Sequence, residues 1–191
     1  MTTSRQWTLI ALGLACLGAG GWIGLRAAGD RFAQVGVGAQ APDFKASTMD
    51  GSSRIKSIVD YRGQVVLINL WATWCGPCVV EMPSIQRLYD RYRGAGLKVV
   101  GVSVDDPGFE GRIREFVAEH KLTFEILHEG SGRIEQAYQS TGIPSTYLLG
   151  RDGRIRKMHL GATDWDSPAN RAVVAQLLGV PAEGVASMTS Q

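Results

Sequence analysis

Apolar residues fall into three rhythms along this chain. From Trp7 to Leu25 they run without a charged residue, about the length a bilayer-spanning helix requires. Gln64–Leu70, which reads Val-Val-Leu-Ile-Asn-Leu after its first residue, and Leu97–Val104 are too apolar to face water on either side. Both read as central, fully buried strands. Elsewhere apolar positions recur at helical spacing. Val79, Met82, Ile85, Leu88, Tyr89 and Tyr92 predict a helix over 79–93, and Ile113, Phe116 and Val117 one over 109–120. Shorter helices are expected over 134–139 and 167–178. Strands are expected over 123–127, 145–149 and 155–160, the last two joined by the Asp152-Gly153 turn. An early hairpin, 43–47 with 53–58, flanks the turn cluster Met49-Asp50-Gly51-Ser52. Strands alternating with helices predict a mixed α/β sheet covered on both faces.

The apolar N-terminus divides the chain into an n-region over 1–6, a transmembrane signal-anchor over 7–25, a Gly/Ala-rich tether over 26–39, a domain over 40–179 and a flexible tail over 180–191. An anchor is favoured over a cleaved signal because the run exceeds the usual 7–15 residues. Arg26-Ala27-Ala28 is also a poor cleavage site. Gly13 occupies the position where a lipoprotein signal carries a bulky aliphatic, so Cys16 reads as a small apolar residue of the span. Arg5 precedes the span and Arg26 and Arg31 follow it, so charge alone hardly orients it. The expected arrangement is single-pass in the inner membrane, with the domain in the periplasm or an equivalent extracytoplasmic space.

Composition narrows the function by exclusion. A net charge of +2 with both signs mixed along 191 residues provides no basic stripe for nucleic acid. There are three cysteines, and Cys75 and Cys78 are only two intervening residues apart. A disulfide-stapled fold would spread more cysteines more widely. The pair lies in Trp74-Cys75-Gly76-Pro77-Cys78, directly after a buried strand and at the opening of a helix. Helix N-termini present unpaired N–H groups and a positive dipole end, so Cys75 should ionise readily, and the thiolate is the attacking species. Pro77 suits the first helical turn, where its missing N–H has no partner to lose. Zinc would need further ligands, which His120, His128 and His159 do not supply at ligand spacing. Haem attachment would need His where Val79 stands. A purely structural bridge over so short a loop would add little stability. Redox exchange without cofactor or metal is the expected chemistry.

The stretch from Val65 through Cys78, then Val79-Val80-Glu81-Met82-Pro83, Gly142-Ile143-Pro144-Ser145-Thr146 and Asp152-Gly153, resembles the TlpA/ResA-like branch of the thioredoxin superfamily over roughly residues 38–178. The resemblance implies a thioredoxin-like mixed sheet flanked by helices on both faces, with an N-terminal hairpin and a central inserted helix. It also implies a tethered, envelope-facing reductant of partner disulfides, such as those of apocytochrome c in cytochrome c maturation or of copper-site proteins. A membrane thiol protein would be the electron donor. Carried residue by residue, it makes Cys75 the nucleophile and Cys78 the resolving thiol of a redox-active disulfide. Pro144 becomes a cis-proline facing the pair, and Pro83 a bend in the helix. Trp74, Gly76, Pro77, Ile143 and Pro144 are the expected substrate-contacting residues. Trp71 is expected in the core.

Glu81 by default is a solvated helical residue. Three positions after Cys78, however, it shares that residue's face with Cβ atoms about 5–6 Å apart. Cys75 is roughly 9 Å away along the axis. Glu81 is therefore the expected acid–base partner of Cys78, accepting its proton directly or through water. Asn69 stands where thioredoxins carry a buried acid, which leaves proton handling to Glu81. Three other readings stay open: a thiol peroxidase of related fold, a copper-delivery protein and a non-catalytic interaction module. The first lacks its Thr-x-x-Cys context, and the second its wider cysteine spacing and His.

Overall fold

The computed structural model describes residues 34–181. The expected n-region, signal-anchor, most of the tether and nearly all of the tail lie outside them. Among the described residues no helix is long and apolar enough to cross a membrane. In chain order the elements are β1 (Ala46–Thr48), β2 (Ile55–Lys56), β3 (Val65–Trp71), α1 (Gly76–Tyr92), β4 (Leu97–Ser103), α2 (Glu110–Glu119), β5 (Glu125–His128), α3 (Arg133–Ala137), β6 (Ser145–Leu149), β7 (Ile155–Leu160) and α4 (Pro168–Leu178). The seven strands form one sheet in the order β2-β1-β5-β4-β3-β6-β7. β3 pairs parallel with β4, and β4 with β5, while β6, β7, β1 and β2 join antiparallel. This is the expected thioredoxin-like mixed sheet.

β3 lies inside the sheet, between β4 and β6, and all seven of its residues are buried. Side chains alternate across a strand, so Val65, Leu67, Asn69 and Trp71 share one face while Val66, Ile68 and Leu70 share the other. The first face meets Met82, Ile85 and Leu88 of α1, with Ile113 and Phe116 of α2 and Val174 of α4 in the same core. The second meets Phe44, Tyr61, Tyr138 and Tyr147. Trp71 packs on Phe116 with ring centroids 4.7 Å apart. Its neighbour Gly101 on β4 leaves only a tight fit for a side chain. A Cβ there would lie 3.1 Å from the Trp71 indole nitrogen and 3.0 Å from the Phe124 ring.

Several boundaries differ from the sequence expectation, among them β5, which starts at Glu125, and α3, which ends at Ala137, and two of the differences have a local cause. α1 starts at Gly76 rather than 79, because Pro77 sits in the first turn where its fixed φ is already helical. The early hairpin pairs only Ala46–Lys56 and Ser47–Ile55. After it, Ile58–Tyr61 turns into a short 3-10 helix in which the Asp60 carboxylate accepts the Ser57 N–H at 2.8 Å. The Asp152-Gly153 turn joins β6 and β7 as expected, with Gly153 at φ 74°.

Candidate functional site

The chain leaves β3 at Trp71 and turns into α1 over four residues, with the Cys75 N–H donating to the Ala72 carbonyl at 3.2 Å. Cys75 is the N-cap of α1, in extended conformation, and its sulfur accepts the Cys78 N–H at 3.2 Å. Cys75 and Cys78 form a disulfide with Cα atoms 5.3 Å apart. On reduction that same N–H faces the freed Cys75 sulfur, where the end of the helix favours negative charge. Both cysteines are nearly enclosed.

The opposite wall is the Ile143–Pro144 peptide, which is cis. Cys75 Sγ lies 3.7 Å from the Ile143 carbonyl oxygen, while the Pro144 carbonyl accepts the Gly161 N–H at 2.8 Å. Gly76 and Pro77 are exposed beside the pair, Ile143 is half-buried and Pro144 is buried. Trp74 stands out from the surface at 68% exposure, in contrast to the enclosed Trp71. Val80 on the outer side of α1 and Leu160 opposite Ser145 are also exposed apolar groups.

Glu81 is not a solvated residue. It sits in the buried stripe of α1 between Cys78 and Met82. Its Oε1 accepts the Trp165 indole N–H at 2.9 Å and the Thr163 backbone N–H at 3.2 Å. Oε2 accepts an Asn69 Nδ2–H at 3.0 Å, and the same amide nitrogen donates to Thr146 Oγ1 at 2.8 Å. Burial pushes the Glu81 carboxyl up to about 7, against the pull of the Trp165, Thr163 and Asn69 hydrogen bonds, which favour the charged form. A carboxyl with that midpoint can take a proton or give one at neutral pH. Among the described residues, no group of three His, Cys, Asp or Glu is placed to hold a metal ion.

The structure thus brings Cys75, Cys78, Gly76, Pro77, Ile143, Pro144 and Trp74 to one end of the sheet, with Glu81 beneath. Sequence reasoning linked Asn69 and Glu81 by role and missed that they touch. It also missed Thr163, Trp165 and Thr146. A lone Trp in the polar stretch between β7 and α4 was the available signal. Asp105 was missed as well. It is fully buried just past β4, and its carboxylate accepts the Thr73 N–H at 3.0 Å, the Thr73 hydroxyl at 2.6 Å and the Ser103 hydroxyl at 2.7 Å. Two aspartates directly after a buried strand were its only mark.

Residues 37–158 match the AhpC/TSA family. The chain is 36% identical over 132 residues to the thiol-disulfide oxidoreductase ResA of Oceanobacillus iheyensis, covering 68% of each chain. It is 34% identical to the thioredoxin-like protein YneN of Bacillus subtilis, over 82% of this chain and 91% of that one. Among solved structures, StoA from Bacillus subtilis superposes with a TM-score of 0.54 at 28% identity, over 65% of this chain and 91% of StoA. With a CxxC disulfide capping a helix on this sheet, the chain belongs to the AhpC/TSA family and is a thiol-disulfide oxidoreductase of the ResA and StoA type.

Proposed function

We propose that this oxidoreductase is a membrane-tethered reductase of protein disulfides that works outside the cytoplasm. The observation that carries the reading is the pairing of Cys75 at the α1 N-terminus with a buried Glu81 one turn beyond Cys78. The uncharged run from Trp7 to Leu25 supports the tether. The Gly-Pro dipeptide between the cysteines supports the reducing direction. It is shared with thioredoxin at about −270 mV, whereas the oxidant DsbA lies at about −120 mV.

The cycle follows from these positions. The Cys75 thiolate attacks one sulfur of a substrate disulfide; a mixed disulfide forms, and the other substrate sulfur leaves as a thiolate. Cys78 passes its proton to Glu81 and attacks Cys75 Sγ. The Cys75–Cys78 bond closes and the second substrate sulfur leaves, so the substrate gains the two electrons that the enzyme loses. A thiol protein at the membrane resets the pair. Trp74, Val80 and Leu160 seat the partner, and the Ile143–Pro144 backbone aligns it. Apocytochrome c and copper-site proteins are the partner classes to test first.

Cys78→Ser in the native membrane tests this directly. The variant should accumulate mixed disulfides with its substrates, released by dithiothreitol and absent when Cys75 is also replaced by Ser. If no adduct forms and purified wild type fails to reduce insulin, the reading is wrong.

A further inference from the structure

The two oxygens of Glu81 face different company. Oε1 holds two N–H donors, the Trp165 indole and the Thr163 backbone. Neither group can accept a hydrogen at that nitrogen. A carboxylate offers roughly four lone-pair sites, two on each oxygen, so Oε1 is filled, and a proton placed there would abut two other hydrogens. Oε2 is bonded only by Asn69 among the described residues. Asn69 is an amide with an accepting as well as a donating end. Its Oδ1 is buried without a hydrogen-bond partner, and its other contact, Thr146 Oγ1, is a hydroxyl that can donate or accept.

Both Oε1 donors come from the segment between β7 and α4, which is fastened to α1. The Trp165 backbone N–H donates to Ser84 Oγ at 3.0 Å, and the Ser84 hydroxyl reaches the Thr163 carbonyl at 3.4 Å. Asp166 faces Arg87 and Arg91 of α1 at 3.4 Å and Arg171 of α4 at 3.7 Å. The Trp165 ring is fully buried, so its N–H is delivered to the carboxylate by a packed body that cannot swing.

The geometry points to Trp165 as a positioning residue of the redox site: with Thr163 it reserves Oε1 of Glu81, and so directs the proton leaving Cys78 to Oε2, beside Asn69. This rests on the reading of Glu81 as the acceptor of that proton. In the step, the S–H bond of Cys78 breaks and an O–H bond forms at Oε2, leaving a Cys78 thiolate and a neutral carboxyl. No outside reagent takes part. Asn69 completes it by turning its amide, so that Oδ1 accepts from Oε2–H while the Thr146 hydroxyl donates to the same oxygen. Turned in this way the amide oxygen gains two partners, and one of them, Oε2–H, exists only when Glu81 is protonated.

The charged groups around Glu81 are otherwise engaged. Asp164 and Asp166 of the β7–α4 segment pair with arginines, and Lys157 of β7 is bonded to Asn170 of α4. β3 and β6 present the neutral Asn69 and Thr146, so the titratable groups that remain are His159 of β7, opposite Thr146, and Cys78, one helical turn away.

Trp165→Phe in the full chain tests the assignment, since it keeps a ring in the core and deletes only the donor side. A donor to a carboxylate favours the charged form, so its loss should raise the Glu81 midpoint by about one pH unit, taking a hydrogen bond to a charged group at its usual strength. Two readouts apply: the Glu81 carboxyl carbon resonance, identified by its absence in Glu81→Gln, and the pH profile of Cys78 attack on the mixed disulfide. In the Glu81→Gln background, Trp165→Phe should change neither the profile nor the rate. In wild type, which needs no folded variant, the Trp165 indole N–H resonance should titrate with the Glu81 midpoint and move downfield as the carboxylate forms. The assignment fails if the midpoint stays in place in Trp165→Phe, if the indole resonance is pH-silent, or if Trp165→Phe slows both backgrounds equally. If Glu81→Gln itself leaves the Cys78 profile unaltered, the acceptor reading falls first and takes this assignment with it.

Discussion

Among the carboxylates buried at the active-site end of the sheet, Asp105 and Glu81 are held in opposite ways. Asp105, past the end of β4, has both oxygens engaged. Oδ1 accepts from the Thr73 hydroxyl, Oδ2 from the Ser103 hydroxyl, and the Thr73 N–H is shared between them. The Thr73 N–H and hydroxyl belong to the turn that carries Trp74 and Cys75, while Ser103 ends β4, so the carboxylate works as a clamp that ties the turn to the strand. Glu81 lies in the apolar stripe of α1, with three N–H donors and one side of Oε2 open. Its midpoint is pushed up to about 7. Burial alone therefore does not decide what a carboxylate does. The arrangement of its donors does: one group fixes geometry, and the other is placed to change charge.

The largest expected effect is on the clamp. Asp105→Ala leaves the Thr73 N–H and two hydroxyls without their acceptor, each worth about 1–3 kcal/mol when buried. A loss of roughly 3 kcal/mol in a denaturant titration is expected, with the pH midpoint of disulfide exchange unmoved. A shifted midpoint with intact stability would mean that Asp105 shares the proton work, and the contrast would dissolve. Glu81→Gln probes the other member. In the fold Glu81 keeps its proton up to about pH 7, while an unfolded Glu loses it near 4.5. Its stabilising contribution is therefore complete below about pH 4.5 and is lost as the pH rises to about 7, on the order of 3 kcal/mol in all. Denaturation of the oxidised protein at pH 5 and pH 7.5 should show that decline in wild type and not in Glu81→Gln. Parallel curves would show that Glu81 does not titrate in this window.

This contrast was only half legible in the sequence. The buried strands were readable because Val65–Leu70 and Leu97–Ser103 have apolar residues on both faces, and no surface strand tolerates that. The CxxC at a helix front was readable because motif and context coincide over five consecutive residues. Glu81 was marked by its spacing from Cys78, yet helical spacing cannot say whether a Glu on that face meets water. Burial is fixed by Trp165 and Thr163, 84 and 82 positions further along. The Asp105 clamp joins residues 32 apart and has no periodic signature. Apolar spacing alone read α1 three residues short because it begins at Val79, while the motif already placed Pro77 in the first turn, where it is found.

The smallest expected effect tests the comparison most finely. Thr73→Val keeps the branched shape and the backbone N–H but deletes the hydroxyl that donates to Asp105 at 2.6 Å. One hydrogen bond to a charged acceptor is lost at a half-buried position, so the cost should be about 1.5 kcal/mol. The Ser103 hydroxyl and the Thr73 N–H still hold the carboxylate. The turn should therefore stay in place, and the alkylation rate of reduced Cys75 should stay within about twofold, because the helix end that activates the sulfur is untouched. A tenfold change in that rate with little loss of stability would show that the clamp tunes the sulfur directly. The two carboxylates would then be parts of one electrostatic device rather than one support and one switch.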